Sequence, residues 1–362
     1  MHFTIVGTGV SSLLLAQELL QLSSCERLTL VGPRAELRAH LLSFWAGGPT
    51  PFDAFELGAW SRIRVVAGGL EVTRPLEHLR YRTVAARAWA HAALREIVSD
   101  ARVEWIQGKT SALEDDLARP AVVVGGRRLE SDFVFTSAPR PSVYPDAWQR
   151  FEGWLIEAPA AQLDERCATL MDFRTPAGGE LRFVYVLPLG EGRLFVEHVS
   201  HRPCHHGEAL GAYVRDVLGL SAYRVIDRES GATPLWAGGL PRPEGRIVPI
   251  GVAAGRAKAA TGYAAMRLWR DARAIAAELD GRGELPLQLS WPSLYRVADR
   301  FFIDLLRRQP GRVEELLSAL FARAPADDVL AFLDEQATPA QQARVALAMP
   351  QWLRWALLDQ AA

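Results

Sequence analysis

The opening stretch of the chain constrains its fold most. Phe3 to Leu22, FTIVGTGVSSLLLAQELLQL, sets a short β-branched strand, a glycine turn and a leucine-rich helix in succession, and RLTLVGP at residues 27–33 follows as a second strand. A strand that re-enters its sheet through a helix does so in parallel, so the chain begins with a βαβ unit. Gly7-Thr8-Gly9-Val10-Ser11-Ser12 follows the pattern G-x-G-x-x-G with serine in the third glycine's place. The first glycine serves a tight turn, and the second lets a pyrophosphate approach backbone N–H groups at the helix N-terminus. Ser12 is small enough for helix and strand to pack closely. The usual acidic partner roughly 20 residues on is missing. Gly32 stands at the end of the second strand, with Glu36 as the nearest substitute. A glycine turn that binds nothing therefore stays open as an alternative.

The 41 basic and 42 acidic side chains nearly cancel, which excludes a chain-wide field for nucleic acid or an anionic membrane. The expected partner is a neutral small molecule. Cys25, Cys167 and Cys204 are too scattered for a disulfide framework and suit a reducing compartment, so the cytoplasm is the expected location. A first strand starting at His2 or Phe3 leaves no room for a signal leader. No apolar run reaches the roughly 20 residues that cross a bilayer.

Further along, VAARAWAHAALREIVSD reads as a helix, and VEWIQG, AVVVGGRRLE and DFVFTSA as strands, with Gly125-Gly126 as a hairpin turn. LMDFRT, RFVYVLPL and RLFVEH are three more strands, and GEALGAYVRDVLGL is a helix. RIVPIGVAAG returns to a strand and a glycine turn before the long helix GYAAMRLWRDARAIAAEL. From Trp291 onward the chain is helical, with Pro292, Pro310, Pro325 and Pro339 near successive helix starts. The order implies a nucleotide-binding domain interrupted by a second domain.

One carboxylate stands out. In RLFVEHV, Phe195, Glu197 and Val199 share a strand face. An ionised carboxylate in so apolar a setting finds a partner or takes up a proton, and a raised pKa suits a general acid. Asp172 and Arg174 share a face of their own strand, and either is in reach of Glu197 if the strands are neighbours. The plainer alternative is a buried structural ion pair. Four histidines, at 198, 201, 205 and 206, lie beside Cys204. Metal binding by His198, His201 and Cys204 or His205 is one reading; a solvated connector around Pro203 is preferred, and no metal site is expected.

The ordered set LMDFRT, RFVYVLPL, RLFVEH, DRESGATP and PIGVAAGRAKAATGYAAM resembles the lycopene cyclases, flavoproteins of carotenoid biosynthesis. The C-terminal helices resemble that family as well. The resemblance implies an α/β fold, with a Rossmann-like FAD-binding domain, an inserted mixed β-sheet substrate domain and a C-terminal helical region. The expected segments are 1–45, 76–140 and 225–282 for the FAD-binding domain, 46–75 and 141–224 for the substrate domain, and 283–362 for the helices. It implies non-redox, proton-initiated cyclisation of the end of an acyclic polyene such as lycopene, an isomerase reaction with Glu197, Asp172 and Arg174 at the proton transfers. FAD, reduced by NADPH and used without net redox change, would contact Gly7, Gly9, Ser11, Ser12, Gly251, Gly255, Thr261 and Gly262. Phe183, Tyr185, Phe195 and Glu229 would line the substrate cavity, although aromatics on buried strands equally suit plain core. The family's acid after the second strand and its Asp-x-Arg are missing, the latter replaced around Thr136 and Ala138. Rival readings are a flavin monooxygenase or halogenase, and an apolar-ligand binding protein with a degenerate FAD site. FFIDLL, LLSALF, VLAFL and WLRWALL are expected to pack between helices or, with Trp352 and Trp355, to rest peripherally on the inner face of a membrane.

Overall fold

The computed structural model describes residues 1–33, 41–115, 119–138, 144–175, 178–238, 240–241, 243–282 and 293–353. The expected βαβ unit is β1 (His2–Val6), α1 (Val10–Leu20) and β2 (Arg27–Val31), with Val6 beside Val31 in a parallel pair. Five strands follow: β3 (Leu41–Ala46), β4 (Glu56–Trp60), β5 (Arg62–Ala67), β6 (Leu70–Pro75) and β7 (Arg80–Ala85). Antiparallel pairing of β7 with both β3 and β4 makes a separate three-stranded sheet. Next come α2 (Ala86–Ser99), β8 (Val103–Ile106), β9 (Thr110–Glu114), β10 (Ala121–Val124), β11 (Arg127–Glu130) and β12 (Phe133–Thr136). Gly125 and Gly126 form the expected hairpin turn between β10 and β11.

The second half holds β13 (Ala147–Glu157), β14 (Cys167–Asp172), β15 (Arg182–Gly190), β16 (Arg193–Ser200), α3 (His206–Ala212), β17 (Arg224–Leu235), β18 (Ile247–Pro249) and α4 (Ala265–Arg282). The helices α5 (Ser293–Arg308), α6 (Pro310–Arg323), α7 (Ala326–Leu333) and α8 (Pro339–Ala348) follow.

A five-stranded sheet, β18-β12-β1-β2-β8, carries the glycine turn. Leucines of α1 and α4 and Trp89 of α2 cover one face around Phe3, Ile5 and Phe135. The β9–β11 sheet covers the other through Val122, Val124 and Leu129. Parallel strands buried on both faces need near-continuous apolar runs, which FTIV and LTLV supply.

The larger sheet runs β17-β13-β16-β15-β14-β5-β6, and its pairs are antiparallel except β14 with β5. The expected boundary at residue 225 falls at the start of β17, which pairs along its length with β13; the chain rejoins the parallel sheet only at β18. One face of the large sheet packs Val184, Val186 and Val196 against Tyr213 and Leu210. The opposite face turns Phe183, Tyr185 and Phe195 toward the C-terminal helices and the three-stranded sheet.

Pro310 and Pro339 open α6 and α8, and Pro325 is the N-cap of α7. Pro292 and Trp291 lie outside the described residues. The apolar stripes face inward, with Phe302, Ile303, Leu305 and Leu306 of α5 and Leu316, Leu317, Leu320 and Phe321 of α6 buried in the core. Trp352 donates through Nε1 to Glu315 Oε1 at 2.8 Å, while Trp355 lies outside the described residues. Among the described residues no helix is long and apolar enough to cross a membrane.

Candidate active site

Two glycine turns meet at the edge of the parallel sheet. Gly7, at φ +119°, holds the first turn, and a Cβ there would lie 2.1 Å from Ser137 Oγ, so only glycine fits. Ser137 Oγ donates to Val6 O at 3.1 Å and accepts from Ser12 Oγ at 3.4 Å. The second turn docks on the first: a Cβ on Gly251, at φ +76°, would come 2.6 Å from Ser11 Oγ. Gly255 closes that turn in the left-handed region. Helix α1 begins at Gly9 without a side-chain cap, so its first N–H groups remain available to an anion, and nothing stands within 4 Å of where a Gly9 Cβ would be. The missing acid has a steric counterpart. A side chain at Gly32 would begin 2.9 Å from Thr8 Cγ2, and Glu36 lies outside the described residues. At the end of β12, Thr136 Oγ1 accepts from the Ala138 N–H at 3.2 Å.

A cavity of about 450 Å³ runs from this turn to the large sheet. Gly9, Ser11, Thr261 and Gly262 line one end, and Tyr185, Phe195, Glu197 and Glu229 the other. Gly7 and Ser12 support the turn from beneath, while Phe183 faces a neighbouring apolar hollow. One rung of the sheet places the acids. Tyr185 pairs with Glu197, Glu197 with Gly153, and Gly153 with Glu229, all on one face. Gly153 leaves a gap between the two glutamates, which the Phe195 ring enters: a Cβ at 153 would be 2.3 Å from Phe195 Cζ and 3.3 Å from Glu229 Cγ. Glu229 is fixed by the Leu41 N–H, which donates to Oε2 at 2.8 Å.

Glu197 keeps some accessible surface, but that surface opens onto the cavity, and the carboxyl itself lies deep inside the protein. Among the described residues no group donates a hydrogen bond or forms an ion pair with it. Burial, reinforced by the neighbouring Glu229, pushes its pKa well above the usual carboxylate range. The folded state thus holds a proton that the unfolded state releases near its ordinary pKa, so this group's contribution to stability is complete at acid pH and is lost as pH rises toward the raised value. Glu197→Gln is accordingly expected to gain stability over the wild type as pH increases from about 4.5, the ordinary glutamate value. Denaturant midpoints of the two proteins across pH measure this; a pH-independent difference would show an ordinary carboxyl.

Aromatic rings line the cavity around this acid. Tyr81 and Tyr263 share a 2.7 Å hydrogen bond between hydroxyls, and Tyr263 packs edge-on against Trp45 at 4.7 Å and Tyr185 at 6.4 Å. Burial raises the pKa of all three tyrosines, keeping them neutral, and ring faces attract positive charge. Sequence reasoning missed Tyr81, Tyr263, Gln149 and Arg87. Tyr263 stood next to Gly262 in the segment already singled out. Tyr81 carries no local signal, because only the pairing of β7 with β3 and β4 turns it inward.

Asp172 and Arg174 do not meet Glu197, a correction to the expectation. Strand β15 lies between β14 and β16, and a register shift after Thr169 breaks the alternation of β14. Asp172 therefore points to the opposite face, where it accepts from Tyr213 Oη at 2.7 Å and pairs with Arg174 Nη2 at 2.6 Å. Burial raises its pKa, but the Arg174 and Tyr213 hydrogen bonds outweigh this and hold it below the ordinary value. Arg174 itself is exposed, so the pair reads as a structural contact that anchors a buried Asp172 from the surface. The histidine stretch is likewise less solvated than expected. His198 is fully buried and its Nδ1 lies 2.9 Å from His206 Nδ1, with Cys204 hydrogen-bonded to Ser200 at 3.4 Å. His201 turns instead toward the apolar hollow beside Phe183.

A cavity joining a nucleotide-type glycine turn to a buried acid on a large mixed sheet is the arrangement that the comparisons with known proteins address. The family model described as lycopene cyclase protein matches residues 3–355, nearly the whole chain. The chain belongs to the lycopene cyclase family. None of the curated proteins matches it. Among solved structures, a geranylgeranyl bacteriochlorophyll reductase-like protein from Thermoplasma acidophilum superposes with a TM-score of 0.65 at 12% identity, over 98% of this chain and 97% of that one. HpxO from Klebsiella pneumoniae, a variant complexed with FAD, gives 0.64 at 14% identity over 97% and 99%. A variant of the halogenase PltM in complex with FAD gives 0.61 at 10% identity over 96% and 85%. These likenesses show the fold, a parallel sheet with a mixed sheet and C-terminal helices, which two of these neighbours carry in complex with FAD.

Proposed function

We propose that this protein is a flavin-dependent cyclase acting on the end of an acyclic polyene such as lycopene, with Glu197 as the proton donor. The observation that carries the reading is the carboxyl of Glu197, without a partner among the described residues, facing a ring-lined cavity that continues to the first glycine turn. The residues present fit FAD. The uncapped start of α1 with Gly7, Gly9, Ser11 and Ser12 would hold the pyrophosphate, and Thr261 and Gly262 at the cavity wall would let the isoalloxazine approach the backbone, while Gly251 and Gly255, which do not line the cavity, pack against Ser11 and against Leu240 and Trp236 and shape the second turn. Bound and reduced by NADPH, the flavin would supply negative charge against a cationic intermediate without net redox change.

Glu197 gives its proton to the terminal double bond, an internal double bond closes on the cation, and a carbon of the new ring loses a proton. The ionised Glu197 is placed to take that proton back, so atoms and electrons balance within one isomerisation. Tyr81, Tyr185, Tyr263 and Phe195 surround the reacting end with ring faces in place of water. Glu229, held by the Leu41 N–H, lies beside Glu197 and favours the protonated form of Glu197 at rest.

Expression in a lycopene-accumulating host tests the reading. A cyclised pigment should replace lycopene, and the purified protein should carry flavin absorbance. NADPH consumption far below product formed would separate it from a monooxygenase or halogenase, whose reductant use is stoichiometric. Lycopene left intact by soluble, flavin-loaded protein would count against it.

A further inference from the structure

A linear polyene is far longer than the ring it forms, so the unreacted remainder needs a path out of the cavity. On the sheet side of Tyr185 and Tyr263 lies the apolar hollow beside Phe183, with space of only about 30 Å³, enough for a water and not for a chain. The Tyr81–Tyr263 hydrogen bond and the edge contact of Tyr185 with Tyr263 close that direction.

The other direction is open. A second cavity of about 200 Å³ adjoins the first and shares Leu41, Arg87, Phe195 and Glu229 with it. It passes between the two sheets, over Gly153 and Leu155 of β13, and reaches Leu57 of β4 and Leu189 of β15. Leu57 is 45% exposed, which puts this end at the protein surface. The backbone of Leu41, tied to Glu229, forms the throat between the two spaces.

We propose that this gallery is the binding site for the unreacted remainder of the linear isoprenoid, and that Leu189 and Leu57 set how long a chain is accepted. The inference rests on the cyclase reading and adds the substrate's direction: reacting end at Glu197, chain leading over Gly153 to Leu57. Its occupant is an apolar chain free of rings along this length, because Leu41, Leu57, Leu155, Leu189 and Phe195 supply most of the surface that faces the space, although Arg87, Asp227, Arg228 and Glu229 also border it.

Binding without turnover tests it. In flavin-loaded protein without reductant, the shift of the polyene's own absorption band gives the affinity for lycopene and for a shortened acyclic isoprenoid with the same reacting end. Leu189→Trp, which fills the gallery, is expected to weaken lycopene binding about tenfold or more, the scale on which apolar pockets discriminate by size, and to leave the shortened compound unaffected. Leu189→Phe should give a smaller loss of the same kind, and unchanged flavin absorbance shows that each variant is folded. Equal weakening of both compounds, or of neither, would overturn the gallery while leaving the cyclase reading intact. Failure of the wild type to bind either compound would overturn both.

Discussion

Glu197→Gln is expected to lower cyclised product by about 10²- to 10⁴-fold, the usual contribution of a positioned general acid, while the flavin spectrum and the fold stay as in the wild type. The amide keeps the shape of the side chain and its place opposite Gly153 but carries no transferable proton. Glu197→Asp separates proton supply from position: the carboxyl survives, withdrawn by one methylene from the reacting carbon, so activity should fall less than in the amide. Turnover rates from purified, reduced protein, with pigment analysis in the host as a second readout, check both. Glutamine activity within a few fold of wild type would remove Glu197 from the chemistry and leave the alternative of a buried carboxyl with a structural role.

Lys258 carries the largest expected effect on stability. Its ammonium, almost fully buried, lies 2.8 Å from Asp299 of α5 and 2.9 Å from Glu335 after α7, and Arg267 reaches Glu335 at 3.1 Å. The Lys258 backbone closes the loop that presents Thr261 and Gly262, through the Gly262 N–H at 2.7 Å and the Tyr263 carbonyl at 2.8 Å. One buried cation therefore joins the cavity loop to the C-terminal helices. Lys258→Met leaves the buried Asp299 without its paired cation, Glu335 keeping Arg267, and should cost about 3–5 kcal/mol of unfolding free energy. Replacing Asp299 by Leu in the same chain should recover part of that loss, since it removes the stranded charge. Denaturant titration measures both; a loss under about 1 kcal/mol for the single change would mean that the cluster relaxes into solvent, as surface pairs do.

Local pattern made much of this molecule legible. The glycine turn between FTIV and a leucine-rich helix announces the βαβ unit because tight turn and helix N-terminus are short-range features. The alternation of RLFVEHV correctly places Phe195 and Glu197 on one face, since strand geometry depends on neighbours alone. What failed depends on partners far along the chain. A meeting of Asp172 or Arg174 with Glu197 requires neighbouring strands, and neither the intervening β15 nor the register shift in β14 leaves a mark in LMDFRT. The juxtaposition of Glu197 and Glu229 is set by β13, which pairs with β16 on one side and β17 on the other. Gly153 in the middle of FEGWLIE was the available clue, since glycine inside a strand marks a close approach. Tyr81 belongs to the same class: its strand lies between two strands that both come earlier in the chain, and only that sheet points the hydroxyl at Tyr263.

The account depends on a proton resting on Glu197 at neutral pH. Infrared difference spectroscopy of wild type against Glu197→Gln, in the flavin-loaded protein and titrated with pH, observes that proton directly. The predicted result is a protonated-carboxyl C=O band at pH 7, absent from the variant and lost only at higher pH; a carboxylate band at pH 7 that protonates near the ordinary glutamate value would contradict it.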